Sequence, residues 1–321
     1  MEARARGGGE EVTLRASDGR RATLAVVSRR RISPRDVPYL LRERRASKGA
    51  LLLVAPFLGP RTRELLAEAN ASYVDATGNV RVVVGEPAVY LESRGVDRDP
   101  ERKARPLRSL KGTAAARVVR ALCDFRPPYG VRTLAAWSSS PLGTASRVVS
   151  FLEEEALLTR DAKKMITAVD WPGLLKRWAA DYSVTGSNVM RAYLEPRGLT
   201  ALAPKLRTLG RYAATGSLGG TGVAPARLAM LYVDDAEAAA RNLHLVPAEA
   251  GANVWLLEPY DGVVFERTQA GAFGAESITV VAPSQAAVDL MTSPGRGPQE
   301  AQALIERMKG TEDAWRRNPR S

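Results

Sequence analysis

The sequence predicts an α+β protein of three successive modules: a small α/β domain over residues 1–95, a helical middle over 96–169 and a second α/β domain over 170–321. Three observations lead there. Apolar runs of strand length gather before Ser93 and again after Leu228. Between Leu110 and Leu157 the periodicity is helical instead, in short pieces parted by Pro, Gly and Ser. A charged stretch with two prolines, Gly95 to Arg108, separates the first region from the second as a linker. A length of 321 residues suits two or three domains.

In order along the chain, residues 1–22 alternate Gly, Arg and acidic groups and read as a flexible arm. Ala22 to Val27 is a short β-rich run, Arg35 to Arg45 has helical spacing, and Ala50 to Ala55 is a continuous apolar run suited to a strand buried on both faces. Pro60 opens a helix reaching Asn70. Ser72–Asp75 and Val80–Val84 form a hairpin around Ala76-Thr-Gly-Asn79, and Ala88–Leu91 is a further strand. Strand, helix, strand, strand, strand is the order of a small α/β domain ending near Ser93, and a restriction-nuclease-like fold is expected for it.

The middle region begins with an amphipathic helix, Leu110–Phe125, whose stripe is Ala114, Val118, Val119 and Leu122. Arg126-Pro-Pro-Tyr-Gly130 ends it. A short helix Val131–Trp137, a turn Ser138–Gly143 and a third helix Thr144–Leu157 follow, then a strand pair from Leu158 to Val169 with Lys163-Lys164 at its bend. Asp170 caps a helix running to Tyr182. The signals from Ser183 to Arg207 are mixed. Strands are expected at 209–215, 228–233, 253–257, 263–265 and 278–281, with helices at 235–243, 283–291 and 298–309 and a mobile polar tail after Gly310.

Composition excludes several classes of function. One cysteine, Cys123, rules out an internal disulfide, and one histidine, His244, removes most histidine-based metal sites. No apolar run is long enough to span a bilayer, no signal peptide is visible, and a cytoplasmic, non-membrane protein is expected. The formal charge is +12, concentrated in two regions. Residues 1–48 carry 13 basic and 6 acidic groups, and residues 98–164 carry 14 basic and 7 acidic groups. Concentrated positive charge suits a polyanionic partner.

Helix, short helix, turn, third helix and basic strand pair is the order of a winged helix-turn-helix, which places its third helix in the major groove of DNA. Thr144, Ser146 and Arg147 are therefore expected to face the groove. Arg132, Ser139, Lys163 and Lys164 are expected on phosphates, and Ser138 and Ser140 add further short donors in the turn. The expected partner is double-stranded DNA, bound by a homodimer, with no cofactor, no metal and no catalysis. Asp75 and Glu92 are the competing candidates for a metal-dependent nuclease. Glu92-Ser-Arg94 lacks the lysine of a Glu-x-Lys element, however, and Asp75 suits a turn that caps its own backbone. Thr215-Gly-Ser-Leu-Gly-Gly-Thr-Gly222 lacks the ending of a phosphate loop. Asp235 reads as a helix cap beside Asp234, and His244 and the Trp171/Trp178 pair read as structural.

Tyr73-Val-Asp-Ala-Thr-Gly-Asn79-Val resembles the hairpin of AbiEi-like antitoxins and related actinobacterial regulators. Asn253-Val-Trp-Leu-Leu-Glu-Pro-Tyr260 and Ala282-Pro-Ser-Gln-Ala-Ala-Val-Asp-Leu290, with Trp171 to Tyr182, are similar to the C-terminal part of that family. The resemblance spans most of residues 50–309. It implies DNA-binding transcriptional regulation and, in the antitoxin alternative, a cognate toxin held by the C-terminal domain. The α/β domain that here precedes the helices departs from antitoxins that begin with the helix-turn-helix.

Overall fold

The first strand of the computed structural model is β1 (Glu11–Arg15), inside the stretch expected to be a flexible arm. The structure describes residues 11–15, 18–46, 50–97, 99–100, 109–220 and 227–318. Residues 1–10 of the expected arm, most of the charged linker up to Arg108, the end of the glycine-rich run at 221–222 and the last three residues lie outside the described residues. The described chain divides into two compact units. One holds the residues up to Pro100 with Phe151–Ala156; the other holds Ser109–Ser150 and Leu157–Asn318.

The first unit is a six-stranded sheet whose strands lie in chain order. β1 and β2 (Arg21–Ser28) form an antiparallel pair. β2 then runs parallel to β3 (Ala50–Ala55), with α1 (Val37–Ala46) as the crossover. A second helix, α2 (Pro60–Glu68), leads to β4 (Ser72–Asp75), parallel to β3, and the sheet closes with β5 (Val80–Val84) and β6 (Val89–Ser93) in antiparallel meander. Leu51, Leu53 and Ala55 pack with Leu40, Leu58, Leu66 and Tyr73 in one cluster, and Leu24, Leu52 and Val82 in another, so alternate residues of β3 serve opposite faces.

The second unit opens with three helices, α3 (Thr113–Asp124), α4 (Val131–Trp137) and α5 (Leu142–Glu154), the last turn of α5 being grouped with the first unit. The hairpin β7 (Leu158–Arg160) and β8 (Ile166–Val169) follows. Beyond α6 (Trp171–Ala179), which Asp170 caps through the Gly173 N–H, the chain builds a seven-stranded mixed sheet. Its elements are β9 (Val189–Leu194), α7 (Leu199–Lys205), β10 (Tyr212–Thr215), α8 (Ser217–Gly220), β11 (Ala229–Val233), α9 (Ala236–Leu243), β12 (Val246–Pro247), β13 (Val254–Glu258), β14 (Gln269–Phe273) and β15 (Glu276–Val280). Three helices close the chain: α10 (Pro283–Met291), α11 (Gly297–Gly310) and α12 (Glu312–Trp315). The strand order is β12-β9-β13-β11-β10-β15-β14. Every residue of β11 is buried, as a central strand covered on both faces requires. Leu202, Leu206, Ala239 and Leu243 pack on one face, and α10 packs against β10, α6 and α11.

Four expectations need correction. Val263–Phe265 is a short 3-10 helix, not a strand: the Asp261 carboxylate accepts the Val263 N–H and so overrides the β preference of the two valines. The helix after Asp170 stops at Ala179, short of Tyr182. The third helix begins at Leu142, so the turn before it is shorter than Ser138–Gly143. The segment after Gly310 is held in place: Trp315 packs edge-on to Trp171 at 5.0 Å, and the Trp171 indole donates to Glu312 at 2.7 Å. The buried Arg316 guanidinium donates to the Cys123 and Phe125 carbonyls at 2.8 and 2.9 Å, covering the C-terminal end of α3. These anchors are far away in sequence, so no local pattern announces them.

Candidate nucleic-acid interface

Helix α3 supplies the foundation. Of its expected stripe Val118, Val119 and Leu122 are buried, while Ala114 is half-buried and Ala115 takes its place in the core. Leu134 and Ala135 of α4 and Ala145, Val148 and Val149 of α5 bury the matching positions of the next two helices. Phe125 stacks on Trp137 with ring centroids 4.2 Å apart, and Tyr129 meets the same indole edge-on at 5.2 Å. Tyr129 also exchanges both backbone hydrogen bonds with Ile166, so it adds a third, one-residue strand beside β8.

Several basic groups of this region are held in ion pairs, and one of them, Arg120, is internal. Arg117 forms a two-oxygen pair with the buried Asp261, its Nε donating at 3.0 and 2.9 Å. Arg120 is fully buried and donates to Gln285 Oε1 at 2.8 Å and to Asp124 at 3.3 Å. The Asp124 carboxylate also accepts Arg267 Nε at 2.6 Å and the Ser284 hydroxyl. Burial alone would raise the Asp124 pKa, but the Arg120 and Arg267 guanidinia and the Ser284 hydroxyl outweigh it and hold the carboxyl below its usual value. Arg126 pairs with Asp313. The excess charge of residues 98–164 therefore overstates what this segment offers to solvent, because three of its arginines serve the join between α3 and the C-terminal elements.

Gln285 links that join to a second buried network. Its amide donates to Asp289 Oδ1 at 2.8 Å, and Asp289 further accepts the Tyr182, Tyr232 and Thr215 hydroxyls at 2.7, 3.0 and 2.6 Å. Complete burial pushes the Asp289 carboxyl up to about 6 in spite of those donors.

What remains outside is well ordered along α5. Leu142, Gly143, Ser146, Arg147 and Ser150 are exposed, at the spacing of one helical stripe, and none is acidic. On α4, Arg132, Thr133 and Ala136 are exposed. Lys163 and Lys164 are exposed at the tip of the β7–β8 hairpin, where the Asp161 carboxylate accepts the Met165 N–H at 2.9 Å and Lys164 takes a left-handed conformation with φ 62°. Arg132, Lys163 and Lys164 make no ion pair among the described residues.

The expected contact residues thus divide. Ser146 and Arg147 lie on the exposed stripe, and Arg132, Ser139, Lys163 and Lys164 are also exposed. Thr144 is half-buried, and its hydroxyl accepts from Arg147 Nη2 at 3.1 Å, so it holds the arginine instead of facing outward alone. The Ser138 hydroxyl is buried and donates to the Ala135 carbonyl at 3.3 Å, and that of Ser140 to the Ala114 carbonyl at 3.1 Å. Both are committed to the turn. Sequence reasoning missed Leu142 and Gly143 on the stripe, since it began the helix two residues late, and it did not single out Ser150. Pro141, well suited to the start of a helix, was the available signal.

The other candidates resolve into local structure. Asp75 is buried and filled: Oδ1 accepts the Thr77 N–H, the Thr77 hydroxyl and the Asn79 N–H at 2.9, 2.7 and 3.0 Å. Oδ2 accepts the Leu58 N–H at 3.0 Å and the Asn79 amide at 2.8 Å. Asn79 in turn donates to the Val96 carbonyl and accepts the Gly95 N–H. A Cβ at Gly95 would lie 2.0 Å from the Thr77 carbonyl oxygen, so only glycine fits there. Burial opposes ionisation of Asp75, and the hydrogen bonds from Asn79, Thr77 and Leu58 more than offset it, lowering its pKa. Glu92 is exposed and accepts from the Tyr90 hydroxyl. Among the described residues no group of three or more His, Cys, Asp or Glu side chains could hold a metal ion. No helix among them is long and apolar enough to cross a membrane.

Asp234 pairs with Arg211, Asp235 accepts the Ala238 N–H as the cap of α9, and Ser217 donates to Glu300 at 2.6 Å. His244 is the exposed, left-handed residue that caps the C-terminal end of α9. Trp171 and Trp178 are both buried. Set against known proteins, the chain matches no family model, no curated protein and no solved structure.

Proposed function

We propose that the protein is a double-stranded-DNA-binding transcriptional regulator in which α3, α4, α5 and the β7–β8 hairpin work as a winged helix-turn-helix. The observation that carries this reading is the exposed stripe Leu142, Gly143, Ser146, Arg147 and Ser150 of α5, which holds no acidic side chain. A groove-reading helix needs such a surface, because a carboxylate facing phosphate or the acceptor-rich guanine edge is repelled. Arg147, kept in place by Thr144, supplies a two-donor fork suited to guanine, and Ser146 supplies a short donor one residue before it. Lys163 and Lys164 at the hairpin tip, with Arg132 and Ser139, supply contacts to phosphate. The N-terminal sheet is in this reading a restriction-nuclease-like scaffold without catalysis, and the acting species is a cytoplasmic homodimer.

The test is binding of the full chain to duplex DNA across a salt series. Lys163→Ala and Lys164→Ala should each weaken binding to all sequences and flatten the dependence of log K on log salt by about one unit. Arg147→Ala should cost about 1–3 kcal/mol on the preferred site and relax preference at one base pair. Absence of salt-dependent binding by the wild type defeats the reading.

A further inference from the structure

Leu142 is 47% exposed, and it is the one large apolar side chain of the region from α3 to β8 that the fold leaves so open among the described residues. A single exposed leucine on a protein surface is ordinary and by itself says nothing. Its position adds the content. It is the first residue of α5, one turn before Ser146 on the exposed stripe, and Gly143 beside it adds no bulk. Around it the exposed groups are neutral or cationic: Ser139, Ser146 and Arg147. A leucine set among phosphate- and base-seeking groups, in the half of a recognition helix that meets base edges, has one apolar counterpart on the floor of the major groove, the 5-methyl group of thymine.

Resting on the regulator reading above, we infer that Leu142 is a specificity-determining residue that selects thymine in the preferred site by covering its 5-methyl group. The preference comes from removing two apolar surfaces from water at once. Burying one methyl group is worth about 0.8 kcal/mol, which is about 4-fold in affinity. Arg147, five residues further along α5, reads another position through hydrogen bonds, so the two side chains distinguish base pairs by different chemistry and should act independently.

The experiment uses the full chain and duplexes enriched by it from a randomised pool, resynthesised with deoxyuridine replacing thymine at one position at a time. Deoxyuridine keeps every hydrogen-bonding group and removes only the methyl. The wild type should lose about 4-fold in affinity at one thymine per half-site. Leu142→Ala, which changes an exposed position and should leave the tryptophan fluorescence of the fold intact, should bind the thymine duplex about as weakly as the wild type binds the deoxyuridine one and should not tell the two apart. Salt-dependent duplex binding by the wild type that is indifferent to every replacement overturns the inference and leaves the regulator reading standing. So does full discrimination retained by Leu142→Ala. No enrichment and no salt-dependent binding overturn both.

Discussion

Replacing Asp124 by asparagine removes one charge and almost no volume, and it tests how α3 is fastened to the C-terminal sheet. In the wild type this carboxylate is 2% exposed and lies between Arg120, at 3.3 Å, and Arg267, at 2.6 Å, with the Ser284 hydroxyl on its other oxygen. The Arg120 side chain has no access to solvent, so in the variant its charge stays buried with only neutral acceptors. Breaking a buried pair by removing one partner costs about 3–5 kcal/mol. For a unit of this size that is a fall in Tm of about 6–20 °C. Trp137, Trp171, Trp178, Trp255 and Trp315 all lie in the second unit, so tryptophan fluorescence during urea unfolding reports on that unit alone. The sign with pH follows from the lowered pKa. The contribution of Asp124 is complete above the unfolded value of 3.8 and is lost as pH falls through the lower folded value. Wild type and variant should therefore differ equally at neutral and mildly acidic pH and converge only below about pH 4. A variant within about 1 kcal/mol of the wild type at neutral pH would refute the assignment of this cluster as the fastening.

Asp75→Ala should destabilise the first unit by about 3 kcal/mol, because it strands the Leu58, Thr77 and Asn79 N–H groups, and circular dichroism on heating measures it. Neither that variant nor the wild type should cut duplex DNA with Mg²⁺ or Mn²⁺; cutting by the wild type that vanishes in Asp75→Ala would establish the nuclease alternative. Asp289 behaves oppositely to Asp124. With its carboxyl raised from 3.8 to about 6, its contribution is complete below 3.8 and is lost as pH rises through about 6. The stability advantage of the wild type over Asp289→Asn should therefore shrink as pH rises from 3.8 to about 6, by about 3 kcal/mol at most, and stay level above that, and a constant difference in urea midpoints across that window would count against it. Light scattering should give the mass of a dimer, and a monomer at micromolar concentration that stays one on adding its DNA site would remove that expectation.

The sequence by itself determined most of the secondary structure and the character of its turns. Continuous apolar residues at Ala50–Ala55 and the alternation around Thr77-Gly-Asn79 place β3 and the β4–β5 hairpin, and the stripe of Ala114, Val118, Val119 and Leu122 places α3. Asp170 and Asp235 are legible as helix caps because a cap is satisfied within three residues. These are short-range matters, fixed by backbone preference and by which face can be dry. Only the tertiary structure decided which charges remain outside. Arg120 looks in sequence like any other arginine of a basic segment, yet its acceptor on Gln285 lies 165 residues away. Arg117 is likewise claimed by Asp261, 144 residues on. Leu142 escaped for the converse reason: a leucine near a helix start is usually core, and its exposure follows from how α5 packs, not from its neighbours in the chain. A charge or an apolar side chain is assigned its role by the partner that reaches it, and partners across a fold leave no periodicity in the sequence.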